Sequence, residues 1–457
     1  MTTSSNSNSN SNSNNDDPQR IPKRPLHNPR LSVDSVSIVG LGCSSFSTFF
    51  WSDDDSTKNS NNGQDFTLAN LKEDHPVVQE WIETICYAVT KAGINLLDTA
   101  PWYGHGISET VVGFALQRLR SQQPQPLARD ALIVNTKVGR YELEPSQQFD
   151  FSHERTIASV RTSLQRLQQQ QKAEGGYIDV VQLHDPEFAP DLDLLFQETI
   201  PALLKCRDEY RWCKSLGMTG YPLGVQHQIL QRSLEEFPNT ATPIWDQSLT
   251  YAHYTLHDVS LVNRTFVGRQ ESFAAFCETR NMTLLSAAPL SMGLLTHQGP
   301  PVWHPASDEL KRACRDAARL CQDNQMDVTH LATVFALVEP RIPCTILGIK
   351  DIAQVQAAQR AASRISSLTA TSTTEAEETN DIEKEKQSTK QHPSLRRLQA
   401  ILTPEEFKVV SHILDPQQGP FCNVWGSQNF YCSWDGITPV HEFWKDLNVA
   451  ATKWQLE

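Results

Sequence analysis

The sequence predicts an α/β chain folded as one (β/α)8 TIM barrel with a low-complexity N-terminal tail and surface insertions. Two observations point to it. Eight short apolar, β-branched runs alternate with segments of helical period, and the polar residues of greatest chemical interest fall just where those runs end. The alternation alone suits parallel βα units and is satisfied by a closed barrel or an open doubly wound sheet. No GxGxxG follows the first run, which counts against a dinucleotide-binding open sheet.

The eight strand candidates are Val36–Val39, Asn95–Leu97, Leu132–Asn135, Ile178–Leu183, Lys214–Met218, Ile244–Leu249, Thr283–Ser286 and Cys344–Leu347. Between them, Val77 to Ala92 sets Val77, Val78, Trp81, Ile82, Ile85, Ala88 and Val89 on one stripe at i, i+3, i+4 spacing. Ser108 to Leu119 reads as a helix opened by a serine cap, with Val111, Val112, Ala115, Leu116 and Leu119 inward. Ser152 opens another helix in the same way.

Several segments stand outside this pattern. Thr2 to Asp17 is a Ser/Asn tract too polar to repay the entropy of ordering, and residues 1–33 are expected to form a disordered tail. The barrel is expected over 34–365. A Thr/Ser/Glu/Lys-rich insertion over 366–392 follows, and then a C-terminal helix and tail, 393–457, packing on the barrel. Asp53 to Asp65 and the Gln-rich run Gln165 to Gly176 read as further surface insertions.

Composition narrows the function classes. The 457 residues carry 40 Lys plus Arg against 53 Asp plus Glu, a formal charge of −13. That excess opposes non-specific binding to nucleic acid or an anionic membrane, so neither is expected as a partner. The 10 cysteines are scattered, with no CxxC pair and no zinc-finger spacing, so no metal site is expected. Scattered thiols, a polar N-terminus without a signal-peptide core and the lack of a membrane-length apolar run predict a cytoplasmic protein.

In a βα barrel the active site lies at the C-terminal strand ends. The second strand candidate ends at Asp98, followed closely by Trp102 and Tyr103. The third ends at Lys137 and the fourth at His184. One rim thus gathers a carboxylate, a phenol, an amine and an imidazole. Hydride transfer at a carbinol carbon also requires a proton to move at its oxygen. A free tyrosine, pKa near ~10, is a poor base at neutral pH. A buried ammonium beside it lowers that value, a carboxylate keeps the lysine charged and placed, and a histidine orients the substrate oxygen. This predicts oxidation with a pH limb below the free-tyrosine value.

The run Asn95-Leu-Leu-Asp98-Thr-Ala-Pro-Trp-Tyr103-Gly, then Thr136-Lys137-Val-Gly-Arg-Tyr141, then Val181-Gln-Leu-His184-Asp-Pro-Glu-Phe188, resembles the aldo-keto reductases. The resemblance continues through Gly217-Met-Thr-Gly-Tyr-Pro222 and Ser286-Ala-Ala-Pro-Leu-Ser-Met-Gly-Leu-Leu295. It implies a catalytic tetrad of Asp98, Tyr103, Lys137 and His184. It implies cofactor contacts from Thr219, Pro289, Leu290, Ser291, Gly293, Lys350 and Gln354. The segments Lys137-Val-Gly-Arg140-Tyr141, Phe149-Asp-Phe-Ser-His-Glu-Arg155, Gln298 to Ser307 and Ser433-Trp434-Asp-Gly-Ile437 are most similar to the L-galactose dehydrogenase and D-arabinose 1-dehydrogenase branch, also called D-threo-aldose dehydrogenases.

That branch implies oxidation of an aldose at C1 to the lactone, on routes to ascorbate or its five-carbon analogue. NAD is the expected cofactor, with NADP the alternative, since Lys350 suits a 2′-phosphate while Asp351 repels one. The ring that usually stacks on the nicotinamide falls at Ala287, and the late asparagine that touches adenine falls near Ala358. Substrate contacts are expected from Trp102, Arg140, Tyr141 and Trp434, whose aromatic faces beside hydrogen-bonding groups suit a sugar. The competing readings are an NADP-dependent aldehyde reductase, a pyridoxal-type dehydrogenase, and a non-catalytic cofactor-binding regulatory subunit.

Overall fold

A computed structural model describes residues 19–47, 67–122, 124–142, 147–167, 176–237, 244–263, 271–301, 304, 306–369 and 394–424. Of the sequence expectations, the Ser/Asn tract, the Asp53 to Asp65 patch, most of the Gln-rich run and of the insertion after residue 369, Trp434 and the tail from 425 lie outside those residues.

Eight parallel strands close into a barrel: β3 (Val39–Gly42), β4 (Leu96–Asp98), β5 (Ile133–Val138), β6 (Ile178–His184), β7 (Cys213–Gly220), β8 (Gln247–Tyr251), β9 (Thr283–Ala287) and β10 (Cys344–Gly348). Each pairs with its neighbour in sequence, and β10 returns to β3 in the register Thr345↔Val39 and Leu347↔Leu41. Helices α1 (Pro76–Thr90), α2 (Ile107–Ser121), α3 (His153–Leu167), α4 (Ile200–Asp208), α5 (Leu223–Glu236), α6 (Phe273–Glu278), α7 (Asp308–Asp323), α8 (Val328–Leu337) and α9 (Ile352–Thr369) follow the strands around the outside. The architecture is the (β/α)8 barrel.

Strand alternation sorts the side chains. Leu96, Ile133, Val180, Leu249, Leu285 and Ile346 fill the lower interior, while their alternates pack outward on the helices. In α1 the stripe buries Val78, Trp81, Ile82, Ile85, Ala88 and Val89. Each large aliphatic buried there contributes about 1.5–3 kcal/mol.

Three boundaries differ from the sequence reading. The tail expected through residue 33 ends earlier, because β1 (Lys23–Pro25) and β2 (Ser35–Ser37) pair as an antiparallel hairpin. Leu26 and Val36 plug the N-terminal end of the barrel against Leu96 and Ile133. Arg24 donates to the carbonyls of Leu337, Glu339 and Ile342, and Asn28 bonds Ser215. The first strand candidate therefore divides: Val36 belongs to this hairpin and only Val39 to the barrel.

Helix α2 is the second difference. Its cap is Gly106, not Ser108; Gly106 has φ +100°, and a Cβ there would sit 2.4 Å from the Arg166 guanidinium carbon. Ser108 lies inside the helix and donates to the Cys43 carbonyl. Third, the C-terminal part contributes two helices rather than one, α10 (Leu395–Ile401) and α11 (Pro404–Ile413). They are tied down by Tyr254 to Ser394, Arg397 to Glu339 and Arg364 to Glu406. No described helix is long and apolar enough to cross a membrane.

Candidate active site

Asp98 closes β4, Lys137 stands near the end of β5, and His184 closes β6, all at the C-terminal rim. Tyr103 comes from the turn between β4 and α2. The structure brings these four together. Lys137, 1% exposed, directs its ammonium at three acceptors: Asp98 Oδ2 at 2.7 Å, the Thr99 carbonyl at 2.8 Å and the Tyr103 hydroxyl oxygen at 3.2 Å. An ammonium has three protons, so its donors are fully used. Because Lys137 donates to the phenol oxygen, the phenol's own proton is free to point elsewhere. The Tyr103 and His184 rings meet edge to face at 6.3 Å.

Two residues that the sequence reading passed over complete the line. Gln182 donates to Asp98 Oδ1 at 2.9 Å, and Gln247 donates to Gln182 Oε1 at 3.2 Å. Both are buried. Asp98 thus has each oxygen engaged, which fixes the carboxylate plane and through it the lysine. The available signal was period two: Gln182 lies two residues before His184 and so faces the same side.

Burial dominates the electrostatics. It pushes the Tyr103 phenol above its ordinary value; Lys137 pulls the other way, less strongly. The sequence expectation was a net lowering; the direction is reversed because burial, set by elements distant in the chain, outweighs the lysine. For Lys137 burial opposes the charge, but Asp98 and Tyr103 outweigh it and the ammonium is held protonated. Burial lowers His184 to about 3, so its imidazole is neutral near neutral pH. Its Nδ1 is buried with no hydrogen-bond partner, and its Nε2 lies 3.6 Å from Asp185 Oδ2, beyond hydrogen-bond reach.

Beside this group the rim carries a stacked wall. Arg140 pairs with Asp185 at 2.9 Å and lies over Trp102 at 4.3 Å and Phe149 at 5.3 Å; Phe149 stacks on Phe188 at 4.4 Å. Trp102 and Arg140 are thus brought together. Tyr141 is not with them: its ring is 4% exposed, turned into the core beneath Arg155.

Of the expected cofactor contacts, Thr219 lies beside His184 in register near the end of β7. Pro289, Leu290, Ser291 and Gly293 form the loop after β9, in which Ala288, Ser291, Met292 and Gly293 all have positive φ. The loop is closed on itself by backbone bonds from Ser291 to Ala288, from Gly293 to Leu290 and from Leu294 to Ser291. Lys350 and Gln354 lie beyond β10. Gln354 accepts from the Lys350 amide, and its own amide donates to Asp351 at 2.8 Å, so Asp351 caps α9.

Glu187, just past His184, is 2% exposed. Its Oε1 accepts from the Tyr221 amide at 3.0 Å, whereas Oε2 is buried without a partner. Burial, then the charge of Asp185, pushes its carboxyl up to about 8. The folded protein keeps this proton after the unfolded chain has lost it. Stability contributed here therefore falls as pH rises from the ordinary carboxylate range toward 8. Glu187→Gln should flatten that fall, raising the melting temperature at pH 8 relative to wild type more than at pH 4; equal shifts at both would contradict it.

The chain was compared with known proteins. A family model described as the aldo/keto reductase family matches residues 68–381. The chain is 35% identical over 293 residues to L-galactose dehydrogenase of Arabidopsis thaliana, covering 64% of this chain and 81% of that protein. It is 32% identical to D-arabinose 1-dehydrogenase of Saccharomyces cerevisiae, covering 56% of this chain and 69% of that one. It is 27% identical to D-threo-aldose 1-dehydrogenase of a Pseudomonas species, covering 59% and 79%. Among solved structures, glycerol dehydrogenase from Gluconobacter oxydans shares the fold at a TM-score of 0.50 and 21% identity, over 74% of this chain and 89% of that one. With its closed barrel and more than half its length matched by the family model, this chain belongs to the aldo/keto reductase family of oxidoreductases.

Proposed function

We propose that this protein oxidises an aldose at its anomeric carbon to the lactone, with NAD as cofactor, in the manner of the L-galactose and D-arabinose dehydrogenases it is similar to. The observation that carries the reading is the hydrogen-bonded line Gln182–Asp98–Lys137–Tyr103 beside the partnerless His184 Nδ1. Tyr103 is the base, Lys137 and Asp98 support it, and His184 holds the substrate oxygen.

The nicotinamide ring, when bound, would supply the acceptor for the hydride lost from C1. Tyr103 takes the proton from the anomeric hydroxyl, so one hydride and one proton leave as the C1 carbonyl of the lactone forms. The Lys137 ammonium stabilises the phenolate before that transfer and remains protonated through it. Neutral His184 offers a ring nitrogen to the sugar oxygen without competing for the proton. Trp102, under Arg140, presents an aromatic face with polar groups at its edge, a combination that fits a pyranose or furanose ring.

Thr219, Pro289, Leu290, Ser291, Gly293, Lys350 and Gln354, most of them on the tightly turned loop after β9, are the residues we assign to holding a dinucleotide, on the resemblance to the family. NAD is preferred over NADP because the Asp351 carboxylate adjoins Lys350, where a 2′-phosphate would otherwise be paired.

One observation favours a second reading. Burial pushes Tyr103 upward and so stabilises the phenol over the phenolate; the phenol is the form that donates to a carbonyl in aldehyde reduction. Both readings are separated by steady-state rates with NAD and NADP, in both directions, across a panel including L-galactose, D-arabinose and simple aldehydes. The expected result is aldose oxidation with NAD and release of lactone. Activity confined to aldehydes with NADPH would replace it with the second reading.

A further inference from the structure

Two side chains outside the acid–base group converge on one residue of the β9 loop. Ser291 is fully buried at φ +50°, Met292 follows at +48° and Gly293 at +95°. Non-glycine residues in this region cost free energy and persist only where the surroundings hold them there. The surroundings here are specific. His304 Nδ1 accepts from the Ala306 amide at 3.1 Å, so its ring proton lies on Nε2, which donates to the Ser291 carbonyl at 3.0 Å. His257 Nε2 meets Ser291 Oγ at 2.7 Å. Ser291 is thus gripped at both its carbonyl and its hydroxyl, by two imidazoles from two different loops.

The second grip is backed from further away. The His257 ring faces Phe421 at 6.0 Å, and Phe421 is 1% exposed. Phe421 belongs to the segment that re-enters at Ser394, anchored by Tyr254, Glu339 and Arg364, and it lies beyond residues 68–381 that the family model matches. An element outside the shared barrel is therefore packed against the residue that locks the loop.

We propose that His257, His304 and Phe421 are positioning residues that hold the β9 loop in its cofactor-binding shape, so that the segment after residue 393 helps set affinity for the nicotinamide dinucleotide. This rests on the reading of that loop as a cofactor contact. Ser291 then acts by fixing the shape of the loop, since its hydroxyl, its carbonyl and its amide are all engaged inside the protein.

The test measures NAD and NADP dissociation constants by calorimetry on the full chain, with circular dichroism to establish folding. His257→Leu and Phe421→Ala should each weaken binding roughly 10-fold, as expected when the competent loop is populated about one time in ten. His257→Gln, which keeps an acceptor at similar reach, should recover most of the loss. In turnover, KM for the cofactor should rise more than kcat falls. If Phe421→Ala does not fold, Phe421→Leu carries the same expectation, since it keeps apolar volume but loses the ring. Unchanged dissociation constants in folded His257→Leu and Phe421→Ala would overturn the proposal. Gly293→Val separates the two levels: if it alone weakens binding, the brace is wrong and the loop reading stands, and if it too is silent, the loop reading fails with it.

Discussion

Tyr103→Phe is expected to lower kcat by roughly 10²-fold or more while leaving the dissociation constant of the cofactor nearly unchanged. The substitution removes one oxygen and keeps the ring. Tyr103 is half-buried, and its ring contributes the edge that meets His184 and the face that lies 4.6 Å from the Lys137 ammonium. Packing is therefore preserved. What disappears is the acceptor of the third Lys137 hydrogen bond and the group that exchanges a proton with substrate. Lys137 still has Asp98 and Thr99, so the ion pair survives and stability should fall little. Turnover near the wild-type rate, in either direction, would show that some other group moves the proton. Tyr251, which closes β8 close enough for its phenol to feel the charge of Tyr103, is the alternative to check.

The legibility of this site followed a physical pattern. Asp98, Lys137 and His184 stood out together, because three successive strand runs ending in a carboxylate, an amine and an imidazole deliver them to one rim, although each alone is an ordinary polar loop residue. Gln182 and Gln247 did not stand out, because an uncharged amide within a strand resembles ordinary β-sheet polarity until its inward face is known. The barrel itself could be read from alternation, since each run supplies both an interior and an exterior face.

The hairpin at the barrel floor was hidden for a different reason. Ile38 alone separates the hairpin strand from the barrel strand, with no glycine or proline at the junction, so nothing local marks where one ends. The helix cap was misplaced because a serine near the start of an apolar period is a strong local signal. Here tertiary contact with Cys43 claimed its hydroxyl instead. The sign of the Tyr103 shift was likewise a question of burial, which depends on elements distant in sequence.

Lys137→Met separates the lysine's structural role from its chemical one. Structurally, it strips a donor from Asp98 Oδ2 and from the Thr99 carbonyl, leaving a carboxylate 3% exposed with Gln182 as its remaining side-chain donor. Breaking a buried pair from one side costs about 3–5 kcal/mol, because the orphaned charge stays behind. The double variant Lys137→Met with Asp98→Asn should regain much of this, since the amide carries no charge to strand. Chemically, nothing is regained. Burial holds the Tyr103 phenol above its ordinary value and Lys137 is the largest influence pulling it down. Oxidation needs the phenolate, so its rate in wild type should climb with pH through a limb on the alkaline side of the free-tyrosine value. Reduction needs the phenol and should be level through neutrality, falling only along that same limb. Without Lys137 the limb moves further upward in both single and double variants. Urea unfolding midpoints and pH–rate profiles of the three proteins decide the matter. Stability that recovers in the double variant while the limb stays displaced is the expected outcome, and a limb that does not move on loss of Lys137 would mean the ammonium serves only to satisfy Asp98.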